Sequence, residues 1–69
     1  MISINFNKKF YNLRAIRTAV RAYKNLGDFS IQNNKNTIKV TIKNIDKDVK
    51  NIIKDEFCNY VLAEMKNAS

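Results

Sequence analysis

The chain has 69 residues, enough for one small domain over residues 1–69, and it carries a formal charge of +7 from 13 basic and 6 acidic side chains. Its one cysteine excludes an internal disulfide, and the lack of histidine removes the commonest general base and zinc ligand, so we expect no metal, no cofactor and no enzyme activity. No apolar run approaches the roughly 20 residues that span a membrane, and the N-terminus does not resemble a signal peptide, so we expect a cytoplasmic protein with no membrane partner.

The excess of positive charge has two interpretations. An anionic partner such as RNA, DNA, a membrane surface or an acidic protein would account for it. Codon usage in an AT-rich genome would also account for it, because asparagine, lysine and isoleucine are abundant together. Since only one group of basic residues is clustered along the sequence, we favour codon usage as the main source of the charge.

The first two predicted elements are a strand and a helix. Apolar and polar residues alternate over residues 2–6, which is typical of a half-buried strand. Asn12 can cap a helix over residues 12–26, because its side chain can accept a hydrogen bond from an unpaired N–H of the first turn. Gly27 follows this helix, and we expect it to adopt the left-handed conformation that ends many helices.

The predicted first helix carries two stripes of side chains. Apolar residues recur at steps of three and four along one side, at Leu13, Ile16, Val20 and Tyr23. Basic residues recur at the same steps beside them, at Arg14, Arg17, Arg21 and Lys24. This basic stripe could hold phosphate groups or an acidic peptide, since arginine binds such groups well, or it could be a solvated helix face.

Two more strands and a second helix complete the pattern. Alternation predicts strands over residues 29–33 and 37–43, joined by an asparagine-rich turn. Asn44 or Asp46 can cap a helix over residues 46–66. The apolar face of this helix combines Val49, Ile52, Ile53, Phe57, Tyr60 and Val61.

These elements predict an α+β fold, a two-layer β-α-β-β-α sandwich in which a three-stranded mixed sheet has both helices on one face. A right-handed crossover should make the first two strands parallel, and the hairpin should make the third antiparallel to the second. We favour the central position for the third strand, which is the longest and richest in β-branched residues. The other face, with Lys39 and Lys43, and at least one edge would then be open.

A third stripe, Cys58, Leu62 and Met65, recurs at steps of four and three beside the main face of the second helix. It is either the margin of the core or an exposed contact surface for another protein. Cys58 has no histidine to activate it, which argues against nucleophilic catalysis. Glu56 falls within the apolar face and could pair with a basic residue or face a partner.

Three stretches resemble the HxsD-like proteins, and the resemblance spans nearly the whole chain. They are FYNLRAI at residues 10–16, FSI at residues 29–31 with the hairpin that follows, and EFCNYVLAE at residues 56–64. Ala63 departs from the arginine often found at that position. The resemblance implies a small, non-catalytic accessory protein encoded with a radical-SAM enzyme that modifies a ribosomally made peptide.

Such a protein would bind the maturase, the precursor peptide or both. The Cys58, Leu62 and Met65 stripe could dock on the enzyme, an open sheet edge could accept the peptide as an extra strand, and the basic residues would suit an acidic precursor. A homo-oligomer is also possible. The alternative is a small RNA- or DNA-binding domain, which we favour less because the open sheet face would lack the aromatic platform of most RNA-binding sheets.

Overall fold

The structure, a computed structural model that describes residues 1–67, has an α+β fold with a three-stranded sheet. In chain order its elements are β1 (Ile2–Asn7), α1 (Leu13–Tyr23), β2 (Asp28–Asn33), β3 (Thr37–Lys43), α2 (Lys47–Lys50) and α3 (Ile53–Asn67). A 3-10 turn, Lys24–Leu26, joins α1 to β2. The last two residues of the domain predicted over residues 1–69 lie outside the described part of the chain.

β3 lies between β1 and β2 and pairs antiparallel with both of them. In this register Val40 faces Ile4 on one side and Ile31 on the other. The predicted central position of the third strand is confirmed. The predicted mixed sheet is wrong, because the central strand separates β1 from β2, which run in the same direction without pairing.

One face of the sheet contributes to the core. Along β1 and β3 the buried apolar residues alternate with more exposed polar ones. α1 contributes an isoleucine and two alanines, and α3 contributes three side chains spaced by four residues. The buried core residues are Ile4, Phe6, Ala15, Ile16, Ala19, Ile38, Val40, Ile42, Ile53, Phe57 and Val61. The corresponding residues of β2, Phe29 and Ile31, are only half-buried.

The start of α1 follows the capping prediction. Asn12 Oδ1 accepts a hydrogen bond from the N–H of Ala15 over 2.7 Å. This bond satisfies one of the N–H groups that a helix leaves unpaired in its first turn. The α-helix ends at Tyr23, and the 3-10 turn occupies the rest of the predicted range 12–26.

The expected left-handed conformation of Gly27 is wrong. Its φ is 174°, which is extended backbone. A side chain is disfavoured here for another reason, because a Cβ atom would lie 3.0 Å from Ile42 Cγ2 and 3.1 Å from the carbonyl oxygen of Lys43, closer than most Cβ contacts. Within residues 1–67, the non-glycine residue with positive φ is Asn44, directly after β3.

The second predicted helix is divided in two. Asp46 caps α2 as predicted, with Oδ1 accepting from the N–H of Asp48 over 3.3 Å, but the helix breaks before Ile53. Neighbouring residues on a helix point about 100° apart, so Ile52 and Ile53 cannot both face the centre of the core. Ile53 is buried, and Ile52 is 55% exposed rather than part of the apolar face.

α1 and α3 lie side by side and antiparallel. Tyr23, at the end of α1, contacts the rings of Phe57 and Tyr60 in the first half of α3. At the other end, Arg14 lines a groove together with Glu64. The residues buried on this side of α1 include Ala15 and Ala19, whose small side chains allow the two helices to approach closely.

Candidate functional site

The basic stripe of α1 forms a groove on the protein surface. Arg14, Arg17 and Arg21 are exposed, and together with Leu13 and Thr18 they line a space of about 440 Å³. Among the described residues, none of the three guanidinium groups makes a hydrogen bond or an ion pair. We call this surface the arginine groove. Its donors are available to an anionic ligand.

Lys24 does not belong to the arginine groove. It begins the 3-10 turn and lines a separate space of about 330 Å³ at the other end of α1. The walls of that space include the carboxylate-bearing residues Asp28 and Asp46. The structure therefore brings together three of the four basic residues predicted on the first helix, and it places the fourth beside acidic groups.

The two predicted basic residues of the sheet lie on the face opposite the core. Lys39 is half-buried and stands between Asn5 of β1 and Gln32 of β2 in the strand register. Lys43 is exposed and stands opposite Asp28. Neither lysine lines the arginine groove, so the six predicted basic residues are divided among three places: the arginine groove, the space beside Lys24, and the polar face of the sheet.

The face of the sheet that carries Lys39 is polar throughout. Its central rows, read across β1, β3 and β2, are Asn5–Lys39–Gln32 and Ser3–Thr41–Ser30. Hydroxyl and carboxamide groups next to a lysine can bind an anionic or a polar partner through hydrogen bonds.

The stripe predicted on the second helix lies along one flank of α3. Cys58 and Met65 are half-buried and pack against the core, whereas Leu62 is 44% exposed. Burial raises the pKa of the Cys58 thiol; nearby Lys54 lowers it and Asp55 raises it further. At neutral pH the thiol is therefore protonated and a weak nucleophile. At the helical spacing this flank lies away from α1, which contacts α3 at Tyr60.

One basic cluster was missed by the sequence reasoning. Lys8, Lys9 and Lys35 line a space of about 400 Å³ where the end of β1 meets the β2–β3 turn. The N–H of Lys8 donates to the carbonyl oxygen of Asn36 over 3.1 Å and joins the two segments. The central position favoured for the third strand implies an antiparallel pairing of the first and third strands, and this pairing brings the lysines together, because the end of β1 then meets the start of β3.

Neither a metal cluster nor a membrane-spanning helix is found in residues 1–67. Across this range, no three histidine, cysteine, aspartate or glutamate side chains are grouped so that they could hold a metal ion. The helices of the same range are too short or too polar to cross a bilayer.

The chain matches no known family model, and neither a curated protein nor a solved structure is significantly similar to it. The resemblance to the HxsD-like proteins, and what it implies about partners, therefore remains a prediction.

Proposed function

We propose that this protein is a non-catalytic accessory protein of a radical-SAM peptide maturation system, and that it binds the maturase, the precursor peptide or both. The observation that carries the proposal is the sheet, which ends in an edge strand on each side, β1 and β2. An edge strand can add an extended peptide through main-chain hydrogen bonds. The resemblance of the three sequence stretches to HxsD-like proteins supplies the biochemical context.

The proposal assigns different tasks to different sides of the fold. α1 and α3 occupy one face of the sheet as a two-layer sandwich, and the polar face with Lys39 stays free for the peptide. A precursor peptide rich in acidic residues suits a chain with a formal charge of +7. The cytoplasmic location expected from the sequence belongs to the same proposal, because the maturase and the ribosomal precursor would be met there.

The maturase is proposed to bind the flank of α3 that carries Cys58, Leu62 and Met65. Leu62 is the most accessible of the three, at 44% exposed, and it lies between Cys58 and Met65, which pack against the core. An exposed leucine that continues a half-buried apolar stripe gains stability when a partner covers it.

The experiment is purification of the tagged protein from its own host, followed by mass spectrometry of everything that co-purifies. The proposal expects an iron–sulfur enzyme, a short precursor peptide or both. Leu62→Asp should remove the enzyme, and Leu62→Asp with Met65→Asp should do so more completely. Ile52→Asp is the matched control, since Ile52 is also exposed and apolar but lies outside the stripe. Equal recovery of the enzyme with all variants would refute this docking surface.

The alternative function is nucleic-acid binding, and the arginine groove favours it. Three guanidinium groups that make no hydrogen bond or ion pair within residues 1–67 can contact successive phosphates. Recovery of nuclease-sensitive nucleic acid without a stable protein partner in the same purification would select this alternative.

A further inference from the structure

We infer that the free edge of β1 binds an extended acidic peptide as a fourth, antiparallel strand. This inference rests on the proposed function and deepens it, because it names the edge, the direction and the side-chain pattern of the peptide. Three observations support it: the side to which the main-chain groups of β1 point, the lack of protective residues along that edge, and the distribution of charge around it.

The antiparallel direction is the one that both existing pairs of the sheet use, and it is slightly more stable for each residue than parallel pairing. The ladder between β1 and β3 shows which main-chain groups of β1 are free. The N–H of Lys8 donates to Asn36 of the β2–β3 turn, in the register that pairs Phe6 with Ile38. In an antiparallel pair the main-chain groups of successive residues point alternately to the two sides of the strand. The even-numbered residues of β1 therefore bond to β3, and the N–H and C=O groups of Ser3 and Asn5 point away from the sheet.

The free edge has a defined end at Asn7. Its carbonyl oxygen accepts from the N–H groups of Phe10 and Tyr11, each over 3.0 Å, so the chain turns back over this end. The groups left for a ligand are those of Ser3 and Asn5 and the N–H of Asn7. They suit a peptide segment of about five residues, since residues rise about 3.4 Å along a strand.

The edge lacks the usual protection against strand addition. Natural edge strands carry charged residues, prolines or bulges that prevent pairing with another chain. β1 has the sequence ISINFN, without charge or proline, and its register with β3 runs without interruption from Ile2 to Asn7. Ser3 and Asn5 are exposed, so the rest of the described chain leaves these two residues accessible.

Charge favours an acidic occupant and assigns it to β1 rather than β2. Lys39, in the central strand, lies beside Asn5 of β1 and Gln32 of β2 alike and so favours an acidic occupant on either edge, whereas Lys8 and Lys9 directly follow β1 and favour that edge. β2, with the sequence DFSIQN, carries a carboxylate at Asp28 and no basic residue. A second copy of this chain is a poorer occupant, because pairing would bring together two chains of charge +7.

The geometry also predicts the pattern of the peptide. In an antiparallel strand, the residues directly opposite Ser3 and Asn5 lie on the polar face, two strand spacings or about 10 Å from β3. Carboxylates at these two positions come within reach of the Lys39 side chain. The residue between them points to the helical face, where an apolar side chain is favoured. The expected motif is therefore acidic–apolar–acidic.

The test uses a fluorescein-labelled nine-residue peptide in which glutamate alternates with valine, and a second peptide with lysine in place of glutamate. Binding is measured by fluorescence anisotropy at low salt. Asn5→Pro removes an N–H from the free edge and leaves the bonds to β3 intact. Asn33→Pro is the matched control, because by the same alternation the N–H of Asn33 lies on the free edge of β2.

We expect the glutamate peptide to bind, Asn5→Pro to weaken it at least tenfold, and Asn33→Pro and wild type to agree within twofold. The lysine peptide should bind at least tenfold more weakly than the glutamate peptide. Equal binding to Asn5→Pro and wild type, preference for the lysine peptide, or no binding of the glutamate peptide would each overturn the inference.

Amide hydrogen exchange of the wild-type protein covers the case in which Asn5→Pro does not fold. The peptide should slow exchange at Ser3 and Asn5 and leave Phe29 and Ile31 unchanged. Protection at Phe29 and Ile31 instead would assign the site to β2. Protection at Ser3 and Asn5 without peptide, increasing with protein concentration, would assign the edge to a second copy. Both outcomes overturn the inference.

Failure of this inference can be distinguished from failure of the proposed function. A precursor peptide that co-purifies from the host while Ser3 and Asn5 stay unprotected would leave the function standing and refute the edge. Protection of these amides by the glutamate peptide, with neither maturase nor precursor recovered from the host, would leave the edge site standing and refute the proposed function.

Discussion

Asn44 ties the end of β3 to the start of β2: its side-chain amide donates to a carboxylate oxygen of Asp28 over 2.6 Å. The backbone of Asn44 has a φ of 55°, in the left-handed region. Asparagine tolerates this region better than most residues with a Cβ atom, and its short side chain can bond locally. The same residue thus reverses the chain after β3 and holds the neighbouring strand.

Asn44→Ala should lower the free energy of unfolding by about 1–2 kcal/mol, because alanine pays the steric cost of the left-handed region and loses the bond to Asp28. Asn44→Gly loses the bond without the steric cost and should be closer to wild type. Urea unfolding of the three proteins measures the difference. Equal stability of the alanine and glycine variants would show that the left-handed backbone conformation of residue 44 does not contribute to the loss of stability.

The contact between α1 and α3 predicts a second effect on stability. Ala19 is fully buried on α1, so Ala19→Leu adds volume where the helices approach closely and should destabilise the fold by about 1–3 kcal/mol. Ala22→Leu is the matched control on the exposed side of the same helix, with an expected change within about 0.5 kcal/mol. The midpoints of thermal unfolding compare the two, and similar losses in both variants would contradict the tight contact.

The elements of the fold could be predicted from local patterns, and their pairing only in part. The alternation of apolar and polar residues predicts the strands. The cap at Asn12 is predictable because it is a local interaction, whose hydrogen bond to Ala15 reaches only three residues along the chain. The break before Ile53 has no local signal, because neither glycine nor proline lies between Lys50 and Ile53, and the burial of Ile53 rather than Ile52 is a tertiary property. The role of Gly27 likewise depends on the approach of Ile42 from a distant strand.

The candidate site, too, could be predicted from local patterns only in part. The spacing of Arg14, Arg17 and Arg21 on one helix was enough to predict that they share a groove. The cluster of Lys8, Lys9 and Lys35 requires the pairing of β1 with β3, which the sequence pattern left open. Which backbone groups of β1 stay free likewise depends on its register with β3. That register cannot be predicted from any single residue of the sequence.

Stability should fall at alkaline pH through Cys58 and Tyr23. Burial raises the pKa of Cys58 above its ordinary value of 9.0, and burial, Glu56 and Tyr60 raise that of Tyr23 above 10.0. The folded state holds both protons more tightly than the unfolded state. Their contribution is therefore complete below the unfolded pKa values and is lost as the pH rises through the folded ones.

A comparison of the wild type with Cys58→Ala measures the contribution of the thiol alone. The difference in unfolding free energy between wild type and Cys58→Ala should shrink as the pH rises above 9.0, the ordinary pKa of the thiol, and it should be constant below that value. Urea unfolding at intervals of pH measures both curves. Parallel curves through the alkaline range would show that the thiol titrates alike in the folded and unfolded states.

The arginine groove predicts how any nucleic-acid binding depends on salt. Arg17→Glu with Arg21→Glu should abolish binding of a short DNA duplex at low salt. Arg17→Ala with Arg21→Ala should reduce the slope of log affinity against log salt by about 2, roughly one unit for each lost phosphate contact.

Lys47→Ala with Lys50→Ala is the control of equal charge, since both lysines are exposed on α2 and outside the groove. If both alanine pairs reduce the slope equally, the binding reflects overall charge. A loss confined to the arginine pair would instead assign the phosphates to the groove, because only there do three guanidinium groups line one surface without partners among the described residues.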